Sequence, residues 1–290
     1  MRVEPSGYDS GKRICIVTGT HGDELEGQYV CCEVLRRINV NRPLLTGTVD
    51  IYPAMNPLGI DSLTRGIPAF DLDMNRLFPG DRNGSMTEYV AAEICRDLDG
   101  ADVCIDIHAS NIFLTEMPQA RINVNTSEKL VPMARMLNLD FIWVHAASTV
   151  LESTLAHTMN SRGVPTIVVE MGVGMRITRE YGDRLTDGIF HLMHEMGIWR
   201  EDTPVTSEPI VSEDGNVSFI NAAHSGIFIK NAAHGTPVKE GDFIGSIVSP
   251  LTGEELDHVV SPVNGLLFTI REYPVVDEGS LIARILEGVS

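Results

Sequence analysis

His21-Gly22-Asp23-Glu24 follows directly on a short apolar, β-branched run, Arg13–Thr18, that is closed by Gly19. An imidazole and a carboxylate three positions apart, at a strand end leading into a helix, can converge on one cation. Zinc accepts imidazole nitrogen and carboxylate oxygen in tetrahedral geometry. Asp23 competes with Glu24 for the carboxylate position. A catalytic centre needs a third ligand, and His108 is the best placed. It directly follows a second strand-like run, Asp102–Ile107, and so occupies the same kind of position as His21. If the two runs are parallel neighbours, their carboxyl ends meet. Three protein ligands leave one coordination position open to water, the pattern of a catalytic rather than a structural zinc. Asp106, on the same strand face as His108, is placed to orient the imidazole from behind.

Such a centre also needs a proton acceptor and a group to steady the developing oxyanion. Glu170 closes the apolar run Thr166–Val169 and precedes Met171-Gly172. A carboxylate there is costly to bury without a task, and partial desolvation raises its proton affinity toward that of a general base. Arg65, Asn75 and Arg76 lie in the string NPLGIDSLTRGIPAFDLDMNRLFPG. Arginine can stabilise an oxyanion or clamp a carboxylate in bidentate fashion, and an Arg–Asn pair is a plausible carboxylate receptor. The plainer alternatives are a strand-end acid capping the next helix and loop arginines paired with surface acids.

The elements that must position these residues alternate between strand and helix over the first two thirds of the chain. Helix-like stretches are read at 24–38, from an N-cap at Thr87 to about Leu98, at Leu151–Asn160 and at 178–196. In the last of these Tyr181, Leu185, Ile189, Leu192, Met193 and Met196 share one face. Further strands are read at Thr48–Tyr52 and Pro165–Val169. Strands separated by helices imply an α/β sheet covered on both faces, with its site at the strand carboxyl ends. Residues 54–86 break this rhythm. A long loop dense in specific polar side chains is more consistent with function than with a spacer. After Trp199 the character changes. Residues 200–215 read as a polar, proline-bearing linker, and 216–290 as short strands divided by glycine turns. VKEGDFIGSIV and VDEGSLIARIL form a weak internal repeat there. The expected organisation is a hydrolase-type α/β domain over 1–199, a linker over 200–215 and a small all-β domain over 216–290.

Composition narrows the partners. The net charge is −18, which disfavours phosphate backbones and anionic lipid, so neither nucleic acid nor a membrane is expected. A cluster of arginines in so acidic a chain implies a local anionic target. The five cysteines show no CxxC spacing, and four lie in apolar or helical stretches, as small buried hydrophobes of a reducing compartment would. The N-terminus carries no apolar signal core, and no apolar run reaches the length of a membrane span. A cytoplasmic location is expected, and a homo-oligomer is left open.

Five strings, GTHGDELEG, NPLGIDSLTRG, DLDMNRLFPG, DIHAS and VVEMG, occur in this order. Together they resemble the succinylglutamate desuccinylase/aspartoacylase family, a branch of the zinc carboxypeptidase superfamily. The resemblance runs over roughly residues 13–285. It implies an α/β fold with a zinc carboxypeptidase-like mixed sheet flanked by helices, followed by a small barrel-sandwich-like β domain. It implies one Zn²⁺ per chain on His21, Glu24 and His108, with Glu170 as general base and proton shuttle. Arg65 matches the residue that polarises the scissile carbonyl, and Asn75 and Arg76 match the pair that grips a substrate carboxylate. The reaction implied is deacylation of an N-acyl amino acid or a similar small amide. Arg162, eight residues before Glu170, is a further candidate contact.

Two rival readings share these residues. One is a carboxypeptidase acting on peptide C-termini, which differs only in pocket size. The other is a non-catalytic zinc-dependent binding protein, which would require neither Glu170 nor Arg65. The C-terminal strings GxPVxxGDxIG and SPVNGxL resemble biotinyl and lipoyl carriers, but GEELDHVVSPVNG holds no acceptor lysine, so a carrier role is rejected. His258 and Tyr273 are the residues of this segment considered for reaching the cleft.

Overall fold

The centre of the molecule is built from two strands with almost no polar surface to expose. Strands β2 (Arg13–Thr18) and β4 (Val103–Ala109) are parallel neighbours, with Thr18 opposite Ile107. All seven residues of β4 are buried, as expected of a strand covered on both faces. A computed structural model of the chain describes residues 1–146, 152–205, 207–213 and 216–288. Beside β2 lie β3 (Thr48–Tyr52), again parallel, and the two-residue edge strand β1 (Arg2–Val3), antiparallel to β3. Beyond β4 comes β7 (Thr166–Gly172), parallel, with Glu170 opposite His108.

The sheet then changes sense. Strand β5 (Leu114–Asn123) runs antiparallel to β7, with an irregular register between Glu116 and Gln119, where Pro118 supplies no amide hydrogen. On part of its other edge, β6 (Phe141–His145) lies parallel to it, and β8 (Ile210–Ser212) is parallel to β6. Residues 200–215, read from sequence as a linker, therefore place a short strand in the sheet. The observed sheet is mixed, as the family resemblance implies.

Helices cover both faces. On one side α1 (Glu26–Val40), α4 (Ser127–Ala134) and α6 (Arg179–Glu195) bury Val30, Val34, Leu130, Leu185 and Phe190 against Ile14, Ile105, Ile107, Ile167 and Val169. On the other side α3 (Met86–Leu98), α5 (Leu155–Ser161) and the long loop pack Cys95, Leu98, Leu155, Met159 and Phe78 onto Cys15, Val17 and Cys104. Because side chains alternate along a strand, Asp106 and His108 share this second face with Cys104. The N-cap of α3 is Ser85, not Thr87. Ser85 accepts from the Glu88 amide while the Glu88 carboxylate accepts from the Ser85 amide, a capping box. In the expected helix Leu151–Asn160, Leu151 lies outside the described residues and α5 begins at Leu155. The long loop is not structureless: it holds α2 (Pro57–Ser62) and a 3₁₀ turn over Met74–Arg76.

The remaining strands are β9 (Val217–Asn221), β10 (Gly226–Lys230), β11 (Thr236–Val238), β12 (Phe243–Val248), β13 (Glu255–Val260), β14 (Gly265–Arg271), β15 (Val275–Val276) and β16 (Leu281–Glu287). They do not all stand apart from the first sheet. Strand β14 pairs antiparallel with β5, placing Thr269 opposite Glu116, and β16 and β9 extend the same sheet outward. A second sheet, in the order β13-β12-β10-β15, faces this extension across a core of Phe228, Ile244, Ile247, Leu267, Ile270 and Ile285. Phe141, Phe268, Leu266 and Leu286 form a further cluster that joins the C-terminal strands to β6. No helix among the described residues is long and apolar enough to cross a membrane. Cys15, Cys31, Cys95 and Cys104 are buried, Cys32 is exposed, and all five are free thiols.

Candidate active site

The register of β2 on β4 settles the first question about the sequence, whether His21 and His108 meet. Their ring centroids lie 5.0 Å apart. The turn after β2 passes through Gly19 at positive φ, and Thr18 donates its hydroxyl to the Ile107 carbonyl at 2.8 Å, which ties the two strand ends together. Glu24, just ahead of α1, reaches between the imidazoles. Its Oε1 lies 2.7 Å from His21 Nδ1 and its Oε2 lies 2.9 Å from His108 Nδ1. The Ala109 amide donates to Glu24 Oε2 at 3.2 Å. Ligand atoms of His21, Glu24 and His108 all fall within 4.8 Å of one another, and all three residues are buried. Asp23, the alternative carboxylate, is not in this group. One of its oxygens is buried without a partner, and its carbonyl accepts from the Met175 amide.

Each imidazole presents its second nitrogen to another carboxylate. His21 Nε2 lies 3.0 Å from Asp73 Oδ1, and His108 Nε2 lies 3.3 Å from Asp106 Oδ1. Both Asp106 oxygens and His108 Nε2 are buried with no hydrogen-bond partner. Burial alone would strip the proton from His108, yet Asp106 and Glu24 carry its proton affinity well above the ordinary histidine value. His21 is raised too, by Asp73 and Glu24 against its burial. Burial works to raise Glu24 and Asp73, but the imidazoles hold both well below the usual carboxylate range. Three carboxylates thus surround two buried imidazoles. Protons on the imidazoles, or a divalent cation in their place, offset this negative charge, and the donor set of two nitrogens and one oxygen suits zinc.

The long loop brings the cationic residues to the same place. Arg65 Nη1 lies 3.1 Å from Glu24 Oε1, and its Nη2 lies 3.5 Å from Asp73 Oδ2. Gly22 makes this approach possible, since its amide donates to the Arg65 carbonyl at 3.3 Å and a Cβ at this position would meet the Gly59 carbonyl carbon at 2.0 Å. Asp73 also caps the 3₁₀ turn, accepting from the Asn75 amide at 2.8 Å. Asn75 accepts from the Leu155 amide through its side-chain oxygen, and Arg76 donates to the Asn75 carbonyl. His21, Arg65, Asn75, Arg76, His108 and Glu170 all line one cleft of about 730 Å³.

Glu170 sits on β7 directly across from His108 and from Gln119 of β5. Burial pushes its carboxyl above the usual carboxylate range. Glu116 and Glu24 add to that, while Arg121 and His108 oppose it. The sequence reading passed over several residues of this cleft: Arg121, Trp143, His145, Phe219 and Arg284. Arg121 Nη1 is 3.4 Å from Glu170 Oε1. The one signal for Arg121 was a charge within an otherwise buried strand. Arg162 does not reach the cleft. It pairs with Asp99 on the surface. His258 stacks on Phe243 at 4.4 Å, and Tyr273 packs edge-on against Phe113 at 5.6 Å, both away from the cleft.

Residues 10–196 match the model of the succinylglutamate desuccinylase/aspartoacylase catalytic domain. The N-alpha-acetyl-L-2,4-diaminobutyric acid deacetylase of Halomonas elongata is 25% identical over 292 aligned positions, spanning 96% of this chain and 83% of that protein. A succinylglutamate desuccinylase/aspartoacylase structure from Rhodobacter sphaeroides superposes with a TM-score of 0.83 at 23% identity, covering 99% of this chain and 87% of that one. The product-bound ectoine utilization protein EutE (DoeB) of Ruegeria pomeroyi gives 0.84 at 20% identity, covering 100% and 88%. With the family model matched over most of the chain's length and the fold shared from end to end, the chain belongs to the succinylglutamate desuccinylase/aspartoacylase family.

Proposed function

We propose that this chain is a zinc-dependent amidohydrolase that removes the acyl group from a small N-acyl amino acid or a related carboxylate-bearing amide. The observation that carries the reading is the convergence of His21, His108, Glu170 and Arg65 on one cleft, with Glu24 buried between the two imidazoles. His21, Glu24 and His108 would hold the zinc. When bound, it would act as a Lewis acid that polarises the amide carbonyl and lowers the proton affinity of water. Glu170, held above the usual carboxylate range by burial, accepts the proton of the attacking water and returns it to the departing amine. Arg65 donates to the carbonyl oxygen as it gains charge, and loss of one such donor typically costs roughly 10²–10³ in kcat. Asn75 and Arg76 grip the carboxylate of the substrate.

The lining of the cleft supports an anionic substrate. Among the described residues it presents Arg65 and Arg76 beside Asn75, in a chain whose acids far outnumber its bases, while Arg121 and Arg284, which also line it, are engaged by the buried Glu116. Family membership and the Halomonas elongata deacetylase support deacylation over other chemistries. The test is metal analysis of the purified protein beside a panel of N-acetyl and N-succinyl amino acids, N-acyl diamino acids and short peptides. Preference for peptides would identify a carboxypeptidase instead. Glu170→Ala is expected to keep stoichiometric zinc and lose hydrolysis, and near-normal turnover in that variant would sink the general-base assignment.

A further inference from the structure

Four charged side chains of alternating sign run across the sheet from its C-terminal strands to Glu170. Arg284 of β16 donates from Nη1 to Glu116 Oε1 at 2.5 Å. Arg121 of β5 donates from Nη2 to Glu116 Oε2 at 2.7 Å, and Gln119 adds a second bond to that oxygen, the third to the carboxylate, at 3.0 Å. The other amino group of Arg121 lies 3.4 Å from Glu170 Oε1. The sheet register makes this possible. Glu116, Thr269 and Arg284 lie abreast on β5, β14 and β16, so Arg284 reaches over the small Thr269 to the strand beyond. Glu116 is 1% exposed, and its carboxylate is met by these three side chains. The Nε atoms of both arginines are buried without partners, so each guanidinium is held through its terminal nitrogens.

We infer that Arg121 is the residue that positions Glu170, and that Arg284 holds Arg121 in place by sharing Glu116. Glu116 and Glu170 compete for Arg121. Arg121 stands between two carboxylates and already lies closer to Glu116 than to Glu170. A buried carboxylate left with less than its full complement of cations draws harder on the one that remains. Without Arg284, Glu116 pulls Arg121 inward and Glu170 loses its anchor. The C-terminal strands, far from the metal ligands in sequence, thereby help to set the general base. This inference rests on the reading of Glu170 as that base.

The test uses the full-length, zinc-loaded protein and the best amide from the substrate panel. Arg284→Met is expected to lower kcat roughly 10-fold to 100-fold with KM changed less than about twofold and zinc still stoichiometric. Arg284→Lys, which keeps the charge, should recover most of that loss. Glu116→Gln added to Arg284→Met should also recover turnover, because a neutral amide no longer draws Arg121 away. An unchanged kcat in Arg284→Met overturns the inference. So does a rise in KM at constant kcat, which would make the arginines substrate grips. Should Arg284→Met fail to fold, the charge-balanced double variant decides, since turnover near wild type supports the positioning role and a loss of tenfold or more overturns it. Glu170→Ala run alongside separates the two failures. If it abolishes hydrolysis while Arg284→Met does not touch kcat, the positioning role alone is wrong. If Glu170→Ala stays active, the general-base reading is wrong and the positioning role falls with it.

Discussion

Gly22→Ala puts one methyl group into the seam between the His21–Glu24 turn and the long loop, and the structure fixes how much space is missing. The new Cβ would lie 2.0 Å from the Gly59 carbonyl carbon and 2.4 Å from the Ile60 amide nitrogen. An ordinary carbon–carbon contact is about 3.5 Å, so the two segments must part by about 1.5 Å. Both sides of the clash are backbone, and no side chain can swing away to absorb it. Overpacking of this kind costs roughly 1–3 kcal/mol. The larger effect falls on activity. The Gly22 amide bonds to the Arg65 carbonyl, and Arg65 is the cation that reaches Glu24. A shift of about 1 Å at a positioned group can cost about 10²-fold in rate. The expected outcome is a melting temperature lowered by a few degrees, near-stoichiometric zinc, and kcat/KM down by about two orders of magnitude. Gly7→Ala, at an exposed glycine with open space around it, is the matched control. Full activity in Gly22→Ala would refute the claim that this contact sets the position of Arg65.

Two further outcomes follow from the charges around the site. Asp106→Asn keeps the shape beside His108 Nε2 but removes the buried charge, and it is expected to weaken zinc binding roughly 10-fold to 100-fold in a chelator competition; unchanged affinity would show that Asp106 does not support the ligand. His145, whose proton affinity is pushed down to about 4 by burial and then by Arg121 and Arg284, takes up its proton in the unfolded chain before it does so in the folded one. Its contribution to stability is therefore intact above about pH 6.5 and lost progressively as the pH falls toward 4, by about 2 kcal/mol at pH 5. Urea midpoints at pH 7 and pH 5 should diverge less in His145→Gln than in the wild type, and equal divergence would refute the assignment.

The candidate metal group was legible because His21 and His108 stand at the ends of short apolar strands, and parallel strands in a covered sheet bring such ends together. What the sequence left open was which acid faces inward. Asp23 and Glu24 are adjacent, and only the path of the turn into α1 decides between them. The N-cap of α3 was misread although its signal was present, since Ser85 and Glu88 have the spacing of a capping box and Thr87 offers none. Strand β5 was not read at all. Pro118 interrupts it, and Glu116, Gln119 and Arg121 spoil any alternation of apolar and polar residues. Of these, Arg121 lines the cleft, and Glu116, which accepts from both Gln119 and Arg121, is buried behind it, so the features that hid the strand from its pattern are the ones that furnish this wall of the site. Arg284 gave no local signal of its role, because its partner Glu116 lies 168 positions away and two strands over.

The change of strand sense between β7 and β5 explains why one sheet can carry both kinds of information. On the parallel side, β2, β4 and β7 end together, and the side chains at those ends form a compact group around the cation site. Beyond β7 the strands run the other way, so β5 presents the middle of its length, rather than its end, beside Glu170. Side chains there can extend laterally across neighbouring strands, as Arg284 does over Thr269 to Glu116. The group of His21, Glu24 and His108 is therefore local to the ends of β2 and β4, whereas the wall facing it is assembled from strands spread between residues 114 and 287. Changes to β14 or β16 that shift their register on β5 by one residue would turn Arg284 to the opposite face of the sheet and leave Glu116 without one of its two cations. On the positioning role proposed for Arg284, the C-terminal strands are tied to Glu170 by sheet register, and not merely by packing against the strands that carry His21 and His108.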